Sequence, residues 1–263
     1  MDTLWKFRYY LTRDKKALTK FLKAVAWDDT MESKQAVDLL AVWVDIDIQD
    51  ALELLGPNFH DFNVRSHAVS QLGRAGDDEL SLYLLQLVQA LKFEDFAVEP
   101  PLVKFLIDRG LDNPVLGNLL HWYLMVECED KSTGKIYGKF SYQFMTRMME
   151  LPDGAQRRDI LRRQGELVNN LANLSKKLRN SKDNRPRKIE KLREYIADPK
   201  NGLLSFEPLP LPLDATVTLT GLVPEKASMF KSALLPLHLT FTCLDGSEYQ
   251  VYSINPDNIQ NRR

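Results

Sequence analysis

Side-chain catalysis needs acids, bases, nucleophiles or metal ligands brought to one place, and this chain offers few at a suggestive spacing. The four histidines, His60, His67, His121 and His238, fall on separate elements, and none has a cysteine or a second histidine at metal-ligand spacing. His67 and His121 sit in helical patterns and read as surface or hydrogen-bonded side chains. Cys128 and Cys243 form no C-x-x-C pair, which fits free, buried thiols in a reducing compartment. No G-x-S-x-G, phosphate-binding P-loop or G-x-G-x-x-G occurs. The carboxylates Asp77-Asp78-Glu79 and Glu127, Glu129 and Asp130 read as helix-end charges that only a cleft would turn into acid–base candidates. The residues alone therefore give no catalytic set and no metal set, and nothing points to nucleic acid.

Charge supplies a second kind of chemistry. The net charge is −1, but residues 157–193 hold 13 Lys/Arg against 4 acids, a window of +9 in a chain that is otherwise −10. Such a window can meet an anionic membrane surface or be absorbed by pairing within the molecule. Lys15, Lys16, Lys20 and Lys23 form a smaller cluster, read as a solvated helix face rather than a lipid contact. There is no signal-peptide pattern and no run of about 18 apolar residues, so the expected location is cytoplasmic.

The elements that must position these residues are mostly helices. Around residues 63–93, Val64, Ala68, Val69 and Leu72 mark one helix; Gly73 and Gly76 interrupt; Leu80, Leu84, Leu87, Val88 and Leu91 mark the next, with Tyr83 and Leu85 widening its stripe. Asp77 is its expected cap. A stripe that wide predicts cover from two sides, as for a central helix in a stack of helix pairs. Two short helices precede it within 4–27, burying Trp5, Tyr9, Leu18, Phe21, Leu22 and Val25; others follow at 33–44, capped by Ser33, and at 48–55. After it come 102–109, stopped by Gly110, then 116–127, a polar loop at 131–138, and 140–151. Residues 156–179 predict a long basic helix in which Gln164 falls where an apolar seam residue would belong, and which packs back on the helical array. A mobile basic loop, 180–187, and a short helix, 188–197, follow.

Alternating Pro and Leu then give an extended linker, 199–213. Beyond it the period changes to two: a strand at 216–220, then LHLTFTC (237–243), a turn at Asp245-Gly246, and a return through Tyr249 and Val251. The fold class is thus mainly α, a HEAT- or armadillo-like α–α solenoid over 1–198, followed by a short antiparallel β segment over 214–251 and an unmatched polar tail, 252–263.

Several long segments carry a resemblance. WKFRYYLTRDKKALTKFLKAVAW (5–27), NVRSHAVSQLGRAGDDELSLYLLQLVQALKF (63–93) and WYLMVECED (122–130) closely resemble the helical accessory domain of class III phosphatidylinositol 3-kinases. PLPLPLDATVTLTGLVPEKASMFKSALLPLHLTFTCLDGSEYQV (208–251) resembles that family's linker and the first strands of its kinase N-lobe. The resemblance implies a partial ATP pocket at Phe230, Lys231, Ser232 and nearby Pro236, where hydroxyl and backbone N–H groups can meet phosphate oxygens. It also marks departures. The family continues into I/V-F-K-x-G-D-D-L-R-Q-D, whereas this chain reads Tyr252-Ser253-Ile254-Asn255-Pro256-Asp257-Asn258; the D-R-H-x-x-N and D-F-G motifs are missing, as is the lipid-binding C2 domain. The implied reading is a scaffold fragment of an enzyme that makes phosphatidylinositol 3-phosphate from phosphatidylinositol, with ATP and Mg²⁺ or Mn²⁺, in endosomal sorting and autophagy. Its implied partners are a protein-kinase-like regulatory subunit and a coiled-coil scaffold, and its implied location endosomal and autophagic membranes. This chain alone is expected to be inactive and to bind no cofactor. The alternative, without the family, is a free-standing solenoid adaptor.

Overall fold

A computed structural model describes residues 2–95, 99–232 and 235–253. Twelve α-helices are followed by five strands among these residues, and the chain divides into two compact units, 1–147 and 148–263. The mainly α class with a small antiparallel sheet is therefore what the chain adopts.

The first unit holds α1 (Asp2–Lys6), α2 (Arg8–Leu11), α3 (Leu18–Ala24), α4 (Thr30–Leu40), α5 (Ile48–Leu54), α6 (Phe62–Leu72), α7 (Asp77–Ala90), α8 (Pro101–Asp112), α9 (Pro114–Glu127) and most of α10 (Gly134–Met149). Helices contact the next in sequence (α5 on α6, α8 on α9) or the next but one (α3 on α5, α4 on α6, α6 on α8, α7 on α9), the pattern of stacked helix pairs. Local chemistry sets the starts. Asp29, Asp61 and Asn113 each accept two backbone N–H bonds at a helix N-terminus, worth about 1 kcal/mol apiece. The cap of α4 is thus Asp29, not Ser33.

Asp77 is not a cap either. Gly76 holds that position, and the Asp77 carboxylate instead accepts from Arg109 Nε (3.1 Å) and Asn113 Nδ2 (2.8 Å) at the α8–α9 junction. On α7, Leu80, Leu84, Leu87 and Val88 are buried as expected, but Leu82 and Leu85 face solvent, so the buried stripe is narrower than the sequence implies. Near the N-terminus Trp5 stacks on Phe21 (5.9 Å) and Phe21 on Trp43 (5.2 Å), while Tyr9 is exposed.

Gly110 does not end its helix. α8 runs on to Asp112, and a Cβ on Gly117 of α9 would lie 2.3 Å from the Gly110 carbonyl oxygen. The glycines are there because the two backbones touch. A buried ion pair ties other elements together: Arg65 donates from Nε (2.8 Å) and Nη2 to Glu94, and from Nη1 to the carbonyls of Leu55 (3.0 Å) and Phe59 (3.1 Å). Nδ1 of His121 and Nε2 of His67 are buried without a hydrogen-bond partner, although both residues keep partial exposure. Burial holds His121 down to about pKa 4.

The second unit holds α11 (Gly154–Asn180), α12 (Arg185–Ala197), β1 (Leu209–Leu211), β2 (Asp214–Leu222), β3 (Ser228–Met229), β4 (Leu237–Cys243) and β5 (Glu248–Ser253). All pairings are antiparallel; β1 pairs β2, β2 and β3 share one edge of β4, and β5 lies on the other. Leu174 and Leu178 of α11 and Leu192 and Ile196 of α12 share one core with Leu219, Met229, Leu237, Leu239 and Phe241 of the strands. The expectation above groups these helices with the preceding array, whereas the packing groups them with the sheet. The stretch 199–213 likewise carries buried Leu203 and Leu209 and the strand β1. Gln164, out of place in an apolar seam, is fully buried because its amide donates to Pro210 O (2.7 Å) and docks β1. The expected loop 180–187 shrinks to four residues, since Asn184 caps α12. Of the expected tail, Tyr252 and Ser253 extend β5, and 254–263 lie outside the described residues.

Candidate functional site

The expected site residues all fall on the connection between β3 and β4. Pairing of Met229 with Leu237 closes a hairpin whose described connecting residues are 230–232 and 235–236. Phe230 N–H donates to Pro236 O (3.0 Å), Ser232 N–H to Phe230 O (3.0 Å) and Leu235 N–H to Ser232 O (3.1 Å). Leu235 sits at φ 45°, in the left-handed region that a branched side chain rarely occupies. The fold therefore brings Phe230, Lys231, Ser232 and Pro236 together on one tight turn. Lys231 and Ser232 are exposed, Pro236 is half-buried, and Phe230 keeps 44% of its surface. Ala233 and Leu234 lie outside the described residues.

Basic residues hold the base of this turn. Arg185 donates from Nε (2.9 Å) and Nη2 to Met229 O, and Arg193 Nε donates to Ala227 O (3.0 Å). Both come from the +9 window, and most of that window is spent similarly. Arg163 donates to Glu207 O, and buried Lys188 to Arg179 O (3.0 Å), where it caps the carbonyl end of α11. Arg157, Arg162, Arg187 and Lys191 pair with Asp153, Asp159 and Glu166, Glu190, and Asp183. Arg158, Lys176, Lys177 and Lys182 remain as exposed charges. The smaller lysine cluster is also occupied: Lys15 and Lys16 pair with Asp47 (both 2.9 Å), Lys16 also with Asp50 (2.8 Å), and Lys23 with Glu53.

Sequence reasoning missed the rings under the turn. His238 is the cross-strand partner of both Ser228 and Tyr252. Its imidazole stacks on Tyr252 (5.0 Å between centroids, 13° between planes), and Phe230 leans on both, at 6.1 Å from His238 and 5.4 Å from Tyr252. Nδ1 of His238 lies 3.2 Å from Ser228 Oγ, while Nε2 is buried with no partner. The signal was available: a turn at Asp245-Gly246 that pairs Thr242 with Glu248 also pairs His238 with Tyr252.

A cleft of about 460 Å³ lies between α11 and the sheet, lined by apolar residues such as Leu167, Leu171, Leu213, Tyr249 and Val251. It contains no acid–base pair. No group of three or more His, Cys, Asp or Glu able to hold a metal occurs among the described residues, and no described helix is long and apolar enough to cross a membrane. The turn can offer a cation, a hydroxyl and an aromatic shield to an anion.

Residues 1–156 match the model of the phosphoinositide 3-kinase family accessory domain (PIK domain), which ends close to where the helical unit ends. The chain is 44% identical to phosphatidylinositol 3-kinase pik3 of Schizosaccharomyces pombe, over 98% of the chain and 33% of that protein. It is 42% identical to the nodule isoform of phosphatidylinositol 3-kinase of Glycine max, over 98% of the chain and 32% of the relative. Phosphatidylinositol 3-kinase VPS34 of Saccharomyces cerevisiae is 32% identical over 97% of the chain and 35% of its own length. The chain thus spans about a third of the length of these curated relatives.

Proposed function

The chain belongs to the phosphoinositide 3-kinase family, in its class III branch, and we propose that it is the helical scaffold of such an enzyme joined to the opening strands of the kinase N-lobe. The enzyme as a whole transfers the γ-phosphoryl group of ATP, with Mg²⁺ or Mn²⁺, to the 3-hydroxyl of phosphatidylinositol. The observation that carries the contribution of these residues is the β3–β4 turn. It presents Lys231 and Ser232 to solvent on a hairpin fixed from behind by Arg185 and Arg193. We assign Lys231 and Ser232 to phosphate oxygens, Phe230 and Pro236 to the pocket wall, and no residue of this chain to the metal or to the transfer step. Residues 1–147 act as the spine on which a regulatory subunit and a coiled-coil scaffold assemble at endosomal and autophagic membranes. Arg158, Lys176, Lys177 and Lys182 are the charges left to face an anionic bilayer.

A turn alone gives phosphate a few hydrogen bonds, each worth about 0.5–1.5 kcal/mol net, against an association cost of at least about 4 kcal/mol. Titration calorimetry with MgATP should therefore give a dissociation constant no tighter than about millimolar. A radiometric assay on phosphatidylinositol vesicles should give no turnover above a protein-free control. Micromolar binding or measurable turnover would place the working site elsewhere in the chain.

A further inference from the structure

The three rings beneath the turn do more than fill space. Phe230, His238 and Tyr252 come from the turn, from β4 and from β5, and each ring lies within 6.1 Å of the other two. Tyr252 and His238 are nearly parallel, so the phenol covers one flat face of the imidazole. Phe230, itself a wall residue of the site proposed above, closes the third side. His238 has one nitrogen engaged by Ser228, while the other is buried and unmatched, a hydrogen-bonding position that the phenol ring does not satisfy. A planar heteroaromatic ring in this slot would stack on the same imidazole face. Tyr252 is also the most easily moved of the three. It is 58% exposed and lies near the end of β5, a strand that pairs only with β4 among the described residues.

We propose that Tyr252 is a built-in occupant of the nucleotide site: its ring takes the stacking position beside Phe230 and His238 that the base of a nucleotide would use, leaving the turn open to phosphate but the base slot closed. This rests on the reading of 230–236 as a nucleotide-facing turn, and it adds that the site is shut from within by this chain's own β5.

The experiment compares wild type, Tyr252→Ala and Tyr252→Phe in the full chain by NMR, with tripolyphosphate and ATP as probes. Tyr252→Phe keeps the ring and should behave as wild type. In wild type the His238 ring protons should be shifted by the neighbouring phenol, and Tyr252→Ala should abolish that shift while the β4 amide pattern confirms the fold. Tripolyphosphate should move the Lys231 and Ser232 signals equally in all three proteins. ATP should bind Tyr252→Ala about 3- to 10-fold more tightly than wild type, the value of one aromatic stack, and should move the His238 ring signals only there. Equal ATP affinity in wild type and Tyr252→Ala, tighter binding in wild type, or no response of Tyr252→Ala to ATP would each overturn the proposal. If tripolyphosphate leaves the turn unmoved while ATP still prefers Tyr252→Ala, the phosphate-facing assignment falls and the ring slot stands.

Discussion

The two compact units use the same side chains for different work. In the helical unit, cations that join separate elements meet carboxylates, with carbonyls as added partners: Lys15 and Lys16 reach Asp47, Arg65 reaches Glu94 and two carbonyls, and Arg109 reaches Asp77 and the Ala75 carbonyl. In the unit with the sheet, the carboxylate pairs of Arg157, Arg162 and Arg187 are local, three or four residues apart, whereas Arg185, Arg193, Arg163 and Gln164 reach across to backbone carbonyls of strands and loops. The difference follows from backbone hydrogen bonding. A helix satisfies its own carbonyls except in its last turn, so its surface cations are free to tie helix to helix. Short strands with ragged ends leave carbonyls without ladder partners, and a planar guanidinium can serve them. A basic window can thus be a device for finishing a small sheet.

This contrast can be broken or sharpened by substitution and by pH. The largest effect should come from Arg65→Ala, which strands Glu94 as an uncompensated buried charge and leaves two carbonyls bare. Urea titration should show a loss of about 3–5 kcal/mol. A loss below 1 kcal/mol would mean that helix packing, not this pair, holds Glu94 in place.

An intermediate effect should come from acid. Burial depresses His121 to about pKa 4 in the folded chain, against an ordinary value near 6.5. The unfolded chain therefore takes up a proton first, and stability should fall as pH drops from about 6.5 towards 4, by roughly 3 kcal/mol. His121→Leu should flatten that limb of the stability–pH curve. An unchanged slope would assign the acid sensitivity to other groups.

Arg185→Ala should cost least, about 1–2 kcal/mol, because one carbonyl, that of Met229, loses a part-buried charge-assisted bond to an exposed arginine. Its loss should be local: amide exchange should quicken around 228–238 and leave the helical unit untouched. A global loss as large as that from Arg65→Ala would erase the distinction between the two kinds of tie.

Much of the fold is legible in the sequence because periodicity records burial directly. The stripe Leu80, Leu84, Leu87, Val88 and the alternation in 237–243 both appear as buried faces. What escapes is whatever depends on a partner distant in sequence. Gly110 looks like a stop until Gly117 is seen against it, and Gln164 looks like a flaw until Pro210 O is beside it. Asp77 resembles a cap in every local respect, yet Arg109 and Asn113, 32 and 36 residues on, claim it. The candidate turn was legible by resemblance, with its four residues together. The rings of His238 and Tyr252 were missed because only the register set by the Asp245-Gly246 turn, and neither residue alone, points to their pairing.

The contact between Gly110 and Gly117 has a mechanical consequence. Helices separated by side chains can slide or tilt as those side chains change rotamer, and so act as a soft bearing. α8 and α9 meet backbone to backbone, with the Leu120 and Phe144 side chains crowding the same point. Neither glycine has a side chain to yield. That contact resists sliding of one helix on the other, which favours movement of the pair as a unit.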